Sequence, residues 1–153
     1  MPFARLMILM GMAVLASPLV RAADPPPRLS YVALNVYDEK RALDFYKGVL
    51  GMVERRRITP NPALTEILLG FTQDSSDPGI LLVIRGGRDK PYEIGDGFSR
   101  FILDVANLDR TVKHLTDAGL RLFRPVTEMK DLNLRYAMIK DPDGYLIELV
   151  QQL

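Results

Sequence analysis

One carboxylate interrupts an apolar run near the end of the chain. The run is Tyr145 to Val150, and the acid is Glu148. An ionised carboxylate in such a strand is costly to bury unless it is paired or used. Ion pairing, general-base catalysis or metal ligation are the chemistries open to it. Ahead of it stands Asp141-Pro142-Asp143-Gly144. Pro presets φ at the second turn position and Gly tolerates a positive φ at the fourth. Asp141 and Asp143 therefore read as turn formers, with weak calcium binding as a thinner alternative. The chain contains no Cys, which removes disulfides, thiolate metal sites and Cys nucleophiles together. It contains one His, His114. A His-rich zinc site is thus excluded, and a Ser-His-Asp triad survives only if His114 is its base. His114 falls on a predicted helix that covers an outer face, where a packed or surface role is expected.

Composition narrows the class. The sequence has 153 residues, 48% hydrophobic and 25% charged, with a net charge of +1. This is the balance of one globular domain. It carries no basic field for nucleic acid, so Arg55, Arg56 and Arg57 read as a solvated strand edge. Gly86-Gly87 offers no phosphate-binding fingerprint. The N-terminus reads differently. Met1 to Arg5 carries one positive charge, Leu6 to Leu15 is nearly all apolar, and Pro18 precedes Val20-Arg21-Ala22. This is the layout of a secretory signal peptide over residues 1–22. The apolar run is shorter than the roughly 20 residues a membrane span needs. Cleavage after Ala22 would leave 18 basic against 19 acidic residues. The expected location is secreted or periplasmic, with no membrane attachment after cleavage. Residues 23–28 then form an extended lead.

The elements follow from periodicity. Val32, Leu34 and Val36 alternate with Tyr31, Ala33 and Asn35, which predicts a strand. Asp38 can cap a helix with Ala42, Phe45, Tyr46 and Val49 on one face. Gly51 marks its end. Strands are predicted over 52–59, 64–71 and 79–85, with Pro60-Asn61-Pro62 turning the chain. Residues 86–99 read as a linker. The pattern then restarts: a strand over 100–105, an Asn107-capped helix with Leu108, Val112 and Leu115 on one stripe, and strands over 120–123, 135–140 and 145–150.

Shifting the sequence by 69 residues lays the second half on the first. Leu34 meets Leu103, Val36 meets Val105, and Arg41 meets Arg110. Such self-similarity marks a repeated unit. The predicted fold is α+β. Two tandem βαβββ units, 29–85 and 99–152, form one domain over 29–152. They build a curved, cup-shaped, eight-stranded mixed sheet with helices outside. The hollow is the expected ligand site. Asn35 and Asp104 take equivalent places on the inner strands. They either line the cup or end their strands with backbone partners.

Three features together carry a family resemblance: the paired units, the Ala42-Leu43-Asp44-Phe45-Tyr46-Lys47-Gly48-Val49-Leu50-Gly51-Met52 stretch and the Asp141-to-Tyr145 turn. They resemble the vicinal oxygen chelate superfamily, which includes glyoxalase I, bleomycin-resistance proteins and extradiol dioxygenases. The resemblance covers Leu29 to Gln151. It implies a metal held by four cup-facing side chains, typically His or Gln, Glu, His and Glu. Carried over, the first position falls on Tyr31, the third on Arg100 and the fourth on Glu148. Matching Gly79 with Gly144 puts the second on Val83, in a register open to slippage. Only Glu148 retains a family donor. The extradiol set of two His and a Glu is also absent. A phenol, an aliphatic side chain and a permanent cation do not make a divalent-ion site. The expectation is therefore no metal and no other cofactor.

Arg100 and Glu148 should share the cup, and two readings stand. In one they form a structural ion pair. In the other Arg100 binds a substrate carboxylate or enolate oxygen, with Glu148 as base and Tyr31 as hydrogen-bond donor. Three functional classes follow: metal-independent binding of a small molecule, anionic if Arg100 holds it; a glyoxalase-type lyase or isomerase based on Glu148; or a structural, partner-binding module. The resemblance also implies a homodimer. No nucleic-acid partner is expected.

Overall fold

The computed structural model describes residues 26–153. The predicted signal peptide lies outside the described residues. β1 (Tyr31–Val36) leads into α1 (Glu39–Leu43), which a wider π-type helical segment continues over Asp44–Val49. There Leu50 N–H donates to the Phe45 carbonyl at 2.9 Å. β2 (Val53–Asn61), β3 (Leu64–Gly70) and β4 (Gly79–Arg85) complete the first half. The second half repeats the order with β5 (Phe101–Asp104), α2 (Leu108–Asp117), β6 (Arg124–Met129), β7 (Leu134–Lys140) and β8 (Leu146–Gln152). The architecture is α+β, with two four-stranded mixed sheets ordered β1-β4-β3-β2 and β5-β8-β7-β6. Each first strand runs parallel to the last strand of its unit and occupies a sheet edge.

The two halves start their helices by the same device. The Asp38 side chain accepts from Arg41 N–H at 2.9 Å, and the Asn107 side chain accepts from Arg110 N–H at 2.8 Å. Each satisfies a donor the helix itself cannot. Strand alternation then sorts the faces. Leu34, Val36, Ile80, Leu82, Ile67 and Leu69 of the first sheet enter one buried cluster, together with Ile147, Leu149, Ala137 and Ile139 of the second. Fully burying each large aliphatic side chain contributes about 1.5–3 kcal/mol. Tyr31, Ala33, Asn35, Leu81 and Val83 lie on the opposite face of the first sheet. Arg100, Ile102, Asp104, Glu148 and Val150 lie on the opposite face of the second. Val83 and Val150 are buried yet stand outside the shared cluster, as that division requires.

Two expected boundaries are corrected. No strand forms over 120–123; the strand is β6, over Arg124–Met129. Leu120 and Leu122 are apolar because they pack partly buried against the core, not because their backbone pairs. Leu120 N–H instead donates to the Leu115 carbonyl at 3.0 Å and closes α2. β2 also runs through Pro60 to Asn61, so the chain reverses at Pro62-Ala63. β2 is an edge strand, where a missing N–H is tolerated.

One tight approach holds the parallel pair together. Gly79 lies beside Tyr31, its strand partner, and a Cβ on Gly79 would overlap the Leu69 carbonyl oxygen. Gly79→Ala should therefore force β4 off β3 and cost about 3 kcal/mol, the upper end for overpacking. Thermal unfolding of the variant checks this, and an unchanged midpoint would count against the packing described.

Candidate functional site

Glu148 is 8% exposed and sits on β8 opposite Ile102 of β5 and Met138 of β7. Arg100 stands immediately before β5, on the same face. Its Nε donates to Glu148 Oε2, and its Nη1 donates to Ser99 Oγ at 3.2 Å. The pairing gives the buried carboxylate the partner its strand denies it. The Arg100 side chain remains 39% exposed, so the guanidinium is open to a second anionic group.

Tyr31 belongs to a separate cluster in the first half. Arg55 Nη1 donates to the Tyr31 hydroxyl at 3.4 Å and to the Asp77 carbonyl at 2.8 Å, while Nε donates to the Thr72 carbonyl at 2.8 Å. The guanidinium lies flat on Gly70, where a Cβ would overlap it. It reaches there because a register shift between Glu54 and Arg56 turns the strand locally. Arg55 is therefore no solvated edge residue. Arg57 is tied as well, to Glu39 at 2.7 Å and to Glu54 at 3.1 Å. No described contact joins Tyr31 to Arg100 or Glu148.

The strand registers correct the placement of Val83. Phe101 pairs with Ile147, and its repeat counterpart Val32 pairs with Ile80. Glu148 therefore corresponds to Leu81, and Val83 corresponds to Val150. Gly79 and Gly144 are not equivalent: Gly79 is the first residue of β4, whereas Gly144 lies in the turn before β8 at a φ of +99°. The second position is aliphatic in either register. Glu66 also escaped the sequence reading. It pairs with Val83 and so shares the face of Tyr31. A lone acid in Leu64 to Gly70 was its signal, the same signal that marked Glu148.

Asn35 uses its backbone carbonyl to accept from the Tyr145 hydroxyl at 3.1 Å. Asp104 is at the end of β5 and lines a cavity between the halves. His114 Nε2 is 3.0 Å from the Val49 carbonyl oxygen, so it bridges the halves. Asp141 is buried. Its Oδ2 accepts from the Tyr46 hydroxyl at 2.7 Å, and its Oδ1 accepts from Asp143 N–H at 3.0 Å and Tyr145 N–H at 2.8 Å. Asp143 accepts from Tyr37 N–H at 2.9 Å. Both carboxylates are engaged in holding the turn. Desolvation raises the Asp141 pKa from its ordinary value, and these hydrogen bonds only partly oppose it. Desolvation also raises Asp143.

With this geometry in place, the chain belongs to the Glyoxalase/Bleomycin resistance protein/Dioxygenase superfamily, which it matches over residues 28–149. It is 33% identical over 124 residues to a probable lactoylglutathione lyase of Synechocystis, covering 80% of this chain and 94% of the relative. It is 32% identical over 127 residues to the lactoylglutathione lyase of Escherichia coli O157:H7, covering 82% and 93%. Among solved structures, glyoxalase I from Zea mays superposes with a TM-score of 0.74 at 28% identity, covering 82% of this chain and 44% of the maize chain. The trypanothione-dependent glyoxalase I of Leishmania major shares the fold, with a TM-score of 0.70 at 23% identity over 83% of this chain and 88% of that one.

The family's metal does not fit these residues. The four positions carry a phenol, an aliphatic chain, a guanidinium and a carboxylate, and the guanidinium already holds the carboxylate. Among the described residues no three His, Cys, Asp or Glu side chains gather where an ion could sit. A cation in place of a ligand repels a second cation.

Proposed function

We propose that this chain is an exported, metal-independent binding protein of the glyoxalase superfamily, which holds a small anionic molecule through Arg100. One observation carries the reading: a guanidinium occupies the third ligand position and pairs with the only remaining family donor, Glu148. Export is supported by the layout of residues 1–22. The edge strands β1 and β5 expose apolar side chains around them, including Leu29 and Ile102, which supports a homodimer. The names of the relatives favour a second reading, a lactoylglutathione lyase. In it Glu148 would act as base after release from Arg100, and Tyr31 as donor.

One set of measurements separates the two. Purified protein is expected to contain no stoichiometric divalent ion. It should form no thioester from the hemithioacetal of methylglyoxal and glutathione, even with added nickel or zinc. It should be stabilised thermally by members of a panel of small carboxylates. Thioester formation would overturn the proposal and favour the second reading, and a tightly held ion would overturn its metal independence.

A further inference from the structure

We propose that the seam between the two halves holds a binding site for an apolar monocarboxylate, distinct from the Arg100–Glu148 pair. A cavity of about 530 Å³ opens there, walled by Leu50, Leu103, Leu115 and Leu149, with Arg110 and His114 on one side. That volume lies within the range of small-molecule sites, about 300–1,000 Å³.

The repeat explains why the space exists. The first helix presents Phe45 and Tyr46 to the core, and their rings pack edge to face with centroids 5.0 Å apart. The equivalent residues of α2 are His114 and Leu115, so the second half has a smaller imidazole and an aliphatic side chain where the first has two benzene rings. The His114 ring is drawn aside onto the Val49 carbonyl and forms a wall of the cavity. The polar groups differ in the same way. Arg41 donates to the Pro142 carbonyl at 3.3 Å. Its counterpart Arg110 has no side-chain hydrogen bond or ion pair among the described residues.

An apolar hollow beside an unpaired guanidinium suits a hydrophobic tail with one anionic head. Asp104 borders the cavity at the end of β5 without reaching ion-pair distance of Arg110. Gly48 gives direct access to a test. It lines the hollow, and a Cβ built there meets nothing within 4 Å.

Calorimetric titration of the full chain with octanoate and with octan-1-ol is the experiment. Octanoate should saturate at one per chain and bind at least tenfold more tightly than the alcohol. Gly48→Phe should abolish binding without lowering the thermal midpoint. Arg110→Met should bring octanoate down to the affinity of the alcohol. Arg110→Met changes only an exposed side chain, so it serves even if the Gly48 variant folds poorly. Absence of saturable octanoate binding overturns the proposal. So does octanoate binding that survives Gly48→Phe or is unaffected by Arg110→Met.

Discussion

Asp141→Ala is expected to lower stability by about 3–5 kcal/mol, from two buried hydrogen bonds and one part-buried one at roughly 1–3 kcal/mol each, partly relieved by removing a desolvated charge. The substitution leaves the Tyr46 hydroxyl and the N–H groups of Asp143 and Tyr145 without their acceptor. Tyr46 is fully buried, so no water replaces the lost partner without repacking. Asp141→Asn should behave quite differently. Its carbonyl oxygen still accepts both N–H groups, and its amide can donate to the Tyr46 hydroxyl. The isosteric change also removes a pH dependence whose sign is fixed. Desolvation raises the pKa of Asp141 in the folded state. A raised acid binds more protons when folded than when unfolded, so its stabilising contribution is complete at low pH. That contribution is lost as pH rises through the folded pKa. The midpoint of wild type minus that of Asp141→Asn should therefore fall as pH is raised from below the usual carboxylate range to neutrality. A flat difference would mean that the buried carboxylate is not desolvated as described.

Arg100→Ala is expected to weaken anionic ligands at least tenfold and to destabilise the fold by about 1–3 kcal/mol. The stability cost is set below the 3–5 kcal/mol of a fully buried broken pair because Arg100 is partly exposed. It arises because Glu148 is left buried without its cation. The double replacement Arg100→Met with Glu148→Leu removes both charges and should recover most of that stability, because paired charges replaced by apolar groups of similar size are often neutral. Ligand affinity should stay lost in the double variant. The two readouts therefore separate a structural pair from a binding one. Recovered stability with unchanged ligand affinity in both variants would confine Arg100 to a structural role. Chemical denaturation and ligand titration on the same preparations measure both.

Local signals were strong where local physics decides. The Asp38 and Asn107 caps, the alternation in β1 and the repeat between halves can all be read from residues a few positions apart. The meeting of Arg100 with Glu148 was expected from the family resemblance, which sets both at ligand positions, and it forms because Arg100 heads β5, the edge strand parallel to β8. Val83 was misplaced because two glycines of different function were equated. One opens a strand and the other turns the chain before a strand, and only the ladder register distinguishes them. β6 was misplaced because Arg124 to Met129 is polar and contains Pro125, while the apolar residues before it serve packing alone. Arg55 was hidden for a different reason. Its neighbours in sequence are Arg56 and exposed strand, and nothing local reports the register shift that folds it onto Gly70.

The half-buried Arg55 has a lasting electrical consequence. Its protein partners are two carbonyls and a phenol, none of them an anion. A guanidinium is a permanent cation, so Arg55 brings a positive charge to the corner beside Tyr31. Mobile ions screen such a charge over about 10 Å at 0.1 M. Attraction of a negative solute to that corner should thus weaken as ionic strength rises.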